Sequence, residues 1–252
     1  MEKRRSSGYE PEGREFESLR ARHLSHSAEL SSVRNYQDIP APFPYPIKAV
    51  ILDYGDVISL PADPAVIAWM AQLFQVPLDR FRYTYALFRH DYDRGALEAA
   101  EYWGKIGEAN GVTLDGEQIV QLRKADVAMW SRLNPAILHW AEELRDFGYK
   151  TAVLSNMHAD MIEHIRLNGD WTKSFDLLVL SSSLGMAKPE PEIFQYCLKG
   201  LGVSAGEAMF IDDREANIEA AVKLGLGGIL APSPEDLRDT LEAFKFTPLP
   251  EL

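Results

Sequence analysis

One cysteine, Cys197, is all that the 252 residues contain. An intrachain disulfide is therefore excluded, and the composition suits a reducing compartment, so a cytoplasmic location is expected. Cys197 shares a helical face with Phe194 and Leu198 and reads as a small core residue. No apolar run approaches the roughly 20 residues of a membrane helix, and no apolar N-terminal segment resembles a signal peptide. A membrane partner is not expected. Basic side chains are scarce as well: the net charge is −12, and beyond residue 35 only 19 basic side chains stand against 32 acidic ones. That balance disfavours a nucleic-acid partner, and an anionic substrate would need a local positive device such as a metal. Internal repeats and low-complexity arrays are also missing.

What is present is organised around Val50-Ile51-Leu52-Asp53-Tyr54-Gly55-Asp56-Val57. Apolar residues run from Ala49 to Leu52 and stop at a carboxylate, the pattern of a buried parallel strand whose C-terminal end delivers an acid into a crevice. Open α/β sheets bind their ligands there. Gly55 permits a sharp turn, which would bring a main-chain carbonyl to the same crevice as Asp53.

Residues 1–46 are charged, Ser-rich and end in a Pro-rich stretch, so a disordered or extended leader is expected. Glu15-Phe16-Glu17-Ser18 can be encoded by a run containing GTTCGAATC, as in the T-arm of transfer RNA genes. The leader therefore reads either as the product of a start codon set too far upstream or as an ordinary tail. Residues 63–134 carry apolar faces at helical spacing, without a convincing strand, and predict an inserted four-helix cap. Residues 47–62 and 135–247 read as the core. Here apolar runs at Lys150 to Leu154, Leu177 to Leu180, Ala208 to Ile211 and Gly228 to Leu230 alternate with helical stretches near 159–167, 190–200, 215–224 and 234–244. That alternation predicts an α/β fold with a doubly wound parallel sheet. Residues 248–252 are expected to form a tail. Trp69, Trp103, Trp130, Trp140 and Trp171 are expected in cores or at the junction between them.

Each strand ends in polar residues: Asp53, Ser155-Asn156 and Asp212-Asp213, with Lys188-Pro189 in the loop after the third run. In a parallel sheet these ends share one edge. A carboxylate can attack phosphorus if the phosphoryl oxygens are neutralised. Asp53 is the candidate nucleophile. Asp53, Asp213 and the Gly55 carbonyl offer the hard oxygens that Mg²⁺ prefers. Ser155 and Lys188 can hold the phosphoryl group.

Four ordered segments, Leu52 to Val57, Leu154-Ser155-Asn156, Ala187 to Pro191 and Phe210 to Asp213 with Asn217, resemble the haloacid dehalogenase superfamily. The branch it resembles has a helical cap inserted after the first strand and an Asp-x-Gly-x-Val motif, as in sugar-phosphatase-like members. The resemblance implies a Rossmannoid core, an aspartyl-phosphate intermediate and Mg²⁺ bound by Asp213 with Asp212 close behind. It also implies supporting hydrogen bonds from Asn156, on the substrate side, and from Asn217. Family phosphatases usually carry a second Asp two residues after the nucleophile, where this chain has Gly55. Asp56 is the possible substitute as acid and base.

In the expected cap, Arg89, His90 and Tyr92 could read a sugar hydroxyl or a second anion, although a solvated face is the simpler reading of such a charged run. His158, just after Ser155-Asn156, could reach the crevice, although a helix cap or a surface position is the simpler reading. The function expected is Mg²⁺-dependent hydrolysis of a small phosphorylated metabolite by a monomer or homodimer. The alternatives are a 2-haloacid dehalogenase-type hydrolase, which paired Asp212 and Asp213 disfavour, and a catalytically impaired phosphate-binding protein.

Overall fold

A computed structural model describes residues 46–252; the expected leader, up to residue 45, lies outside them. Five short strands form one parallel sheet: β1 (Ala49–Leu52), β2 (Lys150–Ser155), β3 (Leu177–Leu180), β4 (Ala208–Asp212) and β5 (Gly227–Leu230). Their order is β3-β2-β1-β4-β5. The register pairs Leu52 with Val153 on one side and with Ile211 on the other. Residues of β1 alternate between two cores, as the two-residue strand period requires. Val50 and Leu52 join Val153, Met209 and Ile211 in one core, whereas Ala49 and Ile51 join Leu154, Val179 and Phe210 in the other. Both faces are apolar because both are covered by helices.

The first face is covered by α6 (Pro135–Asp146), α7 (Ala159–Asn168) and α10 (Pro234–Ala243), through Trp140, Leu144, Met161, Ile165, Leu237 and Leu241. The second carries α8 (Pro191–Leu201) and α9 (Glu215–Lys223), through Ile193, Phe194, Cys197 and Ala221. The chain leaves β1 towards β2 and β3, then returns to build β4 on the opposite side. A crevice therefore opens beyond the C-terminal ends of β1 and β4, at the reversal of strand order. The expected tail does not hang free: the Trp140 indole donates to the Pro248 carbonyl at 2.8 Å, and Arg238 donates to that of Pro250 at 3.0 Å.

Between β1 and α6 stand five helices where four were expected: α1 (Pro64–Leu73), α2 (Leu78–Leu87), α3 (Arg89–Asp93), α4 (Ala99–Asn110) and α5 (Gly116–Trp130). The extra one arises because the second apolar run breaks at Phe88, whose ψ of 4° leaves the helical path. Asp63 caps α1 ahead of Pro64, and Asp115 and Gln118 form a reciprocal capping box on α5. Met70, Phe74, Phe81, Tyr102, Trp103, Ile106 and Leu122 give these helices a core of their own. Two strands of chain join them to the sheet, bridged at Ser59 and Leu133 and by the Leu60 N–H donating to the Arg132 carbonyl at 2.7 Å. Trp69 departs from the expected burial, being 39% exposed on α1. Among the described residues no helix is long and apolar enough to cross a membrane.

Candidate active site

Asp53 follows β1 directly, held by its own N–H donating to the Ile211 carbonyl at 2.9 Å. Its Oδ1 accepts from the Tyr54 N–H at 2.7 Å, so the strand end fixes the carboxylate as well as the backbone. The chain then turns through Gly55 and Asp56, the latter at φ +56°, a left-handed conformation uncommon outside glycine. Tyr54 secures this turn by donating its hydroxyl to the Trp130 carbonyl at 2.7 Å.

Lys188 is the centre of charge. Its side chain is 1% exposed, and Nζ lies 2.7 Å from Asp53 Oδ1 and 2.6 Å from Asp212 Oδ2. The loop that carries it is tied to the end of β2, because the Asn156 amide donates to the Lys188 carbonyl at 2.8 Å and accepts from the Lys188 N–H at 2.7 Å. Asp212 is held from the other side. Asn217 donates to both its oxygens at 3.0 Å, and the Arg214 N–H donates to Oδ1 at 2.8 Å.

One ammonium thus faces three carboxylates. Carboxylate oxygens of Asp53, Asp212 and Asp213 all lie within 4.8 Å of one another. Burial pushes Asp53 up to about 7, with Asp212 and Asp213 adding to the rise and Lys188 opposing it. Burial, then Asp212, raises Asp213 to about 6. Burial works against the Lys188 ammonium, but Asp53 and Asp212 hold it above its usual range. The excess negative charge is the environment a hard cation relieves. Asp213 and the second oxygen of Asp53 have no hydrogen-bond partner among the described residues, so they fit Mg²⁺ best, with the Gly55 turn beside them. Asp212 is less suited to direct ligation than the sequence suggested, since both its oxygens already accept from Lys188, Asn217 and Arg214.

Asp53, Lys188 and Asp213 line a cavity of about 100 Å³ together with Ser155, Asn156, Asp56 and Asn217, whereas Asp212 lies behind Lys188 and outside the lining. Ser155, at the end of β2, is 2% exposed. The opposite wall comes from the inserted helices and the loop after β2: Tyr85, Arg89, Asp93, Trp130 and His158. Arg89 Nε lies 2.9 Å from each oxygen of Asp93, and Nη1 lies 3.0 Å from Asp126 Oδ2. Asp126 is fully buried and accepts from the Tyr85 hydroxyl at 2.6 Å.

The structure does not bring every expected residue to the cavity. His90 is outside the cavity lining, about half exposed, with Nε2 3.8 Å from Glu190. Tyr92 is buried but does not line the cavity either: its ring stacks on Tyr102 at 4.2 Å and on His158 at 4.7 Å. Asn156 lines the cavity, and its amide uses one donor and one acceptor to clamp the Lys188 loop. His158 takes the less simple of its two expected places: it lines the cavity, sits at the start of α7 without a side-chain cap bond and is 1% exposed. Arg89 does reach the cavity, with much of its charge answered by Asp93 and Asp126. Sequence reasoning passed over Tyr85, Asp93 and Asp126. Asp126 had left a signal, a carboxylate on the same helical face as Leu122 and Met129.

A family profile described as haloacid dehalogenase-like hydrolase matches residues 47–225. Among curated relatives, the D-ribitol-5-phosphate phosphatase of Bacteroides thetaiotaomicron is 27% identical over 219 residues, covering 77% of this chain and 97% of the relative. Mouse acyl-CoA dehydrogenase family member 10 is 38% identical over 116 residues, 46% of this chain, but the match spans only 11% of that much longer protein. Among solved structures, a HAD family enzyme from Bacteroides thetaiotaomicron, in complex with magnesium and inorganic phosphate, superposes with a TM-score of 0.58. It is 25% identical, over 73% of this chain and 93% of that one.

Proposed function

The chain belongs to the haloacid dehalogenase-like hydrolases, and we propose that it is a Mg²⁺-dependent phosphatase acting on a small phosphorylated metabolite, a sugar or polyol phosphate by class. The observation that carries this reading is the Lys188 ammonium held between Asp53 at 2.7 Å and Asp212 at 2.6 Å, with Asp213 beside them at the strand ends. A carboxylate nucleophile must stay ionised, and the phosphoryl oxygens must be met by positive charge. The ribitol-phosphate phosphatase relative and the magnesium and phosphate complex of the solved neighbour support the same class.

In this mechanism Asp53 attacks phosphorus, and the ester oxygen departs with a proton. Water then cleaves the aspartyl-phosphate, releasing phosphate and restoring the carboxylate. Lys188 and the Ser155 hydroxyl hold the phosphoryl oxygens. Asp53 and Asp213, with the Gly55 carbonyl, would hold Mg²⁺, which when bound supplies the positive charge that Lys188 alone cannot. Asp212 and Asn217 fix Lys188, and Asn156 fixes its loop. Asp56 is the group proposed to handle protons. It lines the cavity, is engaged by neither Lys188 nor Arg89, and is turned by its positive φ away from the course of an extended strand. The helices α1–α5 act as a cap that excludes water and selects the substrate. A buried lone cysteine accords with a reducing, cytoplasmic setting.

The test is phosphate release from sugar and polyol phosphates, with Mg²⁺ and with chelator. Turnover should be metal-dependent and absent in Asp53→Asn. A folded protein with no turnover even of an aryl phosphate would replace this reading with phosphate binding alone.

A further inference from the structure

Four buried side-chain polar atoms among the described residues lack any hydrogen-bond partner: Trp103 Nε1, both ring nitrogens of His158, and Ser182 Oγ. Of these residues only His158 lines the cavity that contains Asp53, Ser155 and Lys188. A buried polar group left unpaired is costly, and in native proteins it usually has a partner the protein itself does not supply. The neighbouring polar groups do not fill that role. Asp126 Oδ2 lies 3.3 Å from His158 Nε2 but in a poor alignment, and its oxygens already accept from Arg89 and the Tyr85 hydroxyl.

The ring is not free to seek another partner. It stacks on Tyr92 at 4.7 Å with 15° between planes, and Tyr92 in turn stacks on Tyr102 at 4.2 Å and 11°. His158 also follows Ser155 by three residues on the short loop from β2 to α7, so the chain itself keeps it near the phosphoryl-holding groups. Burial holds the imidazole below its usual range, although Asp126 opposes this, which favours the neutral ring. A neutral imidazole has one donor and one acceptor. A hydroxyl is the ligand group that can answer either.

We propose that His158 is a specificity-determining residue that hydrogen-bonds a hydroxyl of the group carrying the phosphate, so that polyhydroxylated esters are preferred over alkyl phosphates of the same chain length. The inference rests on the phosphatase reading above and narrows its substrate class. Alkyl phosphates would leave the imidazole unpaired in the closed site, which is how a site built for a hydroxyl rejects the analogue lacking one.

The test compares pentitol 5-phosphates with n-pentyl phosphate, and inorganic phosphate as a control, by calorimetry in Asp53→Asn with Mg²⁺ and by kcat/KM in the parent enzyme. The parent background should prefer a pentitol ester by about tenfold to a hundredfold, the worth of one buried hydrogen bond. Adding His158→Phe, which keeps the stacked ring, should cut that preference to within about threefold while leaving affinity for pentyl phosphate and inorganic phosphate unchanged. His158→Gln, which keeps a donor and an acceptor, should restore part of it. A preference that survives His158→Phe, an equal loss for all three ligands, or a parent with no preference would each overturn the inference. Failure of the phosphatase reading is separate: it appears as absence of turnover in the parent, while the calorimetric preference still decides the role of His158.

Discussion

Lys188 concentrates the argument at the residue scale, because a single ammonium, 1% exposed, compensates two carboxylates directly. Lys188→Met should lower the unfolding free energy by about 3–5 kcal/mol at pH 8 without Mg²⁺, as expected when one partner of a buried pair is removed. Urea denaturation measures this. The pH dependence of the metal-free protein has a definite sign. Asp53 is raised in the folded state from 3.8 to about 7, so the native protein binds that proton more tightly than the unfolded chain does. Its contribution to stability is favourable at low pH and is lost as pH rises from about 4 to about 7. Mg²⁺ must displace the same proton. Binding at pH 6 should therefore release protons, and at pH 8.5 almost none, in calorimetry with buffers of different ionisation enthalpy; Asp53→Asn should remove most of the difference. The placing of Asp53, Ser155 and Asp213 was legible in the sequence because each stands at or just beyond the end of an apolar run, and that of Lys188 because it lies in the loop after the third run. Asp126 was not, and His158 only as one of two readings, since their significance comes from being brought together across 31 residues of intervening chain.

At the scale of elements, the sheet was legible to within a residue or two, because its strands are short, apolar on both faces and separated by amphipathic helices. The five-residue α3 was not legible. Nothing local distinguishes its charged residues from a continuation of α2, and its place depends on contacts with the core. Ser181 donates its hydroxyl to the Asp93 carbonyl there, and Arg94 donates to the Gly185 carbonyl at 3.0 Å and to Glu190. Gly95 ends this segment at φ +81°, where an added Cβ would stand 2.8 Å from the Ser182 carbonyl oxygen. Gly111, at φ +71°, has no atom within 4 Å of such a Cβ. Gly111→Ala should cost about 1–2 kcal/mol, the left-handed conformation alone. Gly95→Ala should cost more and raise KM, because the clash falls on the seam between the proposed cap and the core. The Arg123–Asp160 pair crosses the same seam at 2.6 Å, but Arg123 is 44% exposed. Arg123→Ala should change unfolding free energy by less than about 1 kcal/mol.

For the whole molecule, the proposed phosphatase activity requires a chain of net charge −12 to admit an anionic substrate to a small cavity between the sheet edge and α1–α5. The proposed answer is Lys188 with a hard cation that Asp53 and Asp213 would hold, and the proposed cap would exclude water. The order of the four motifs along the chain was enough to place Asp53, Ser155 and Asp213 at one edge of the sheet. The polar far wall was hidden, since it needs the inserted helices to be docked. Gly55 leaves the site without the usual second acid, and this has a measurable consequence: Asp56→Asn should slow alkyl phosphates by about 10²–10⁴-fold while sparing aryl phosphates, whose leaving groups need little protonation. The central claim is the aspartyl nucleophile, and the most direct measurement is mass spectrometry of rapidly quenched enzyme turning over its best phosphate ester with Mg²⁺. The account predicts a phosphorylated peptide containing Asp53, formed before phosphate is released and missing in Asp53→Asn. Steady phosphate release with no adduct at Asp53, or release that persists in Asp53→Asn, would contradict it.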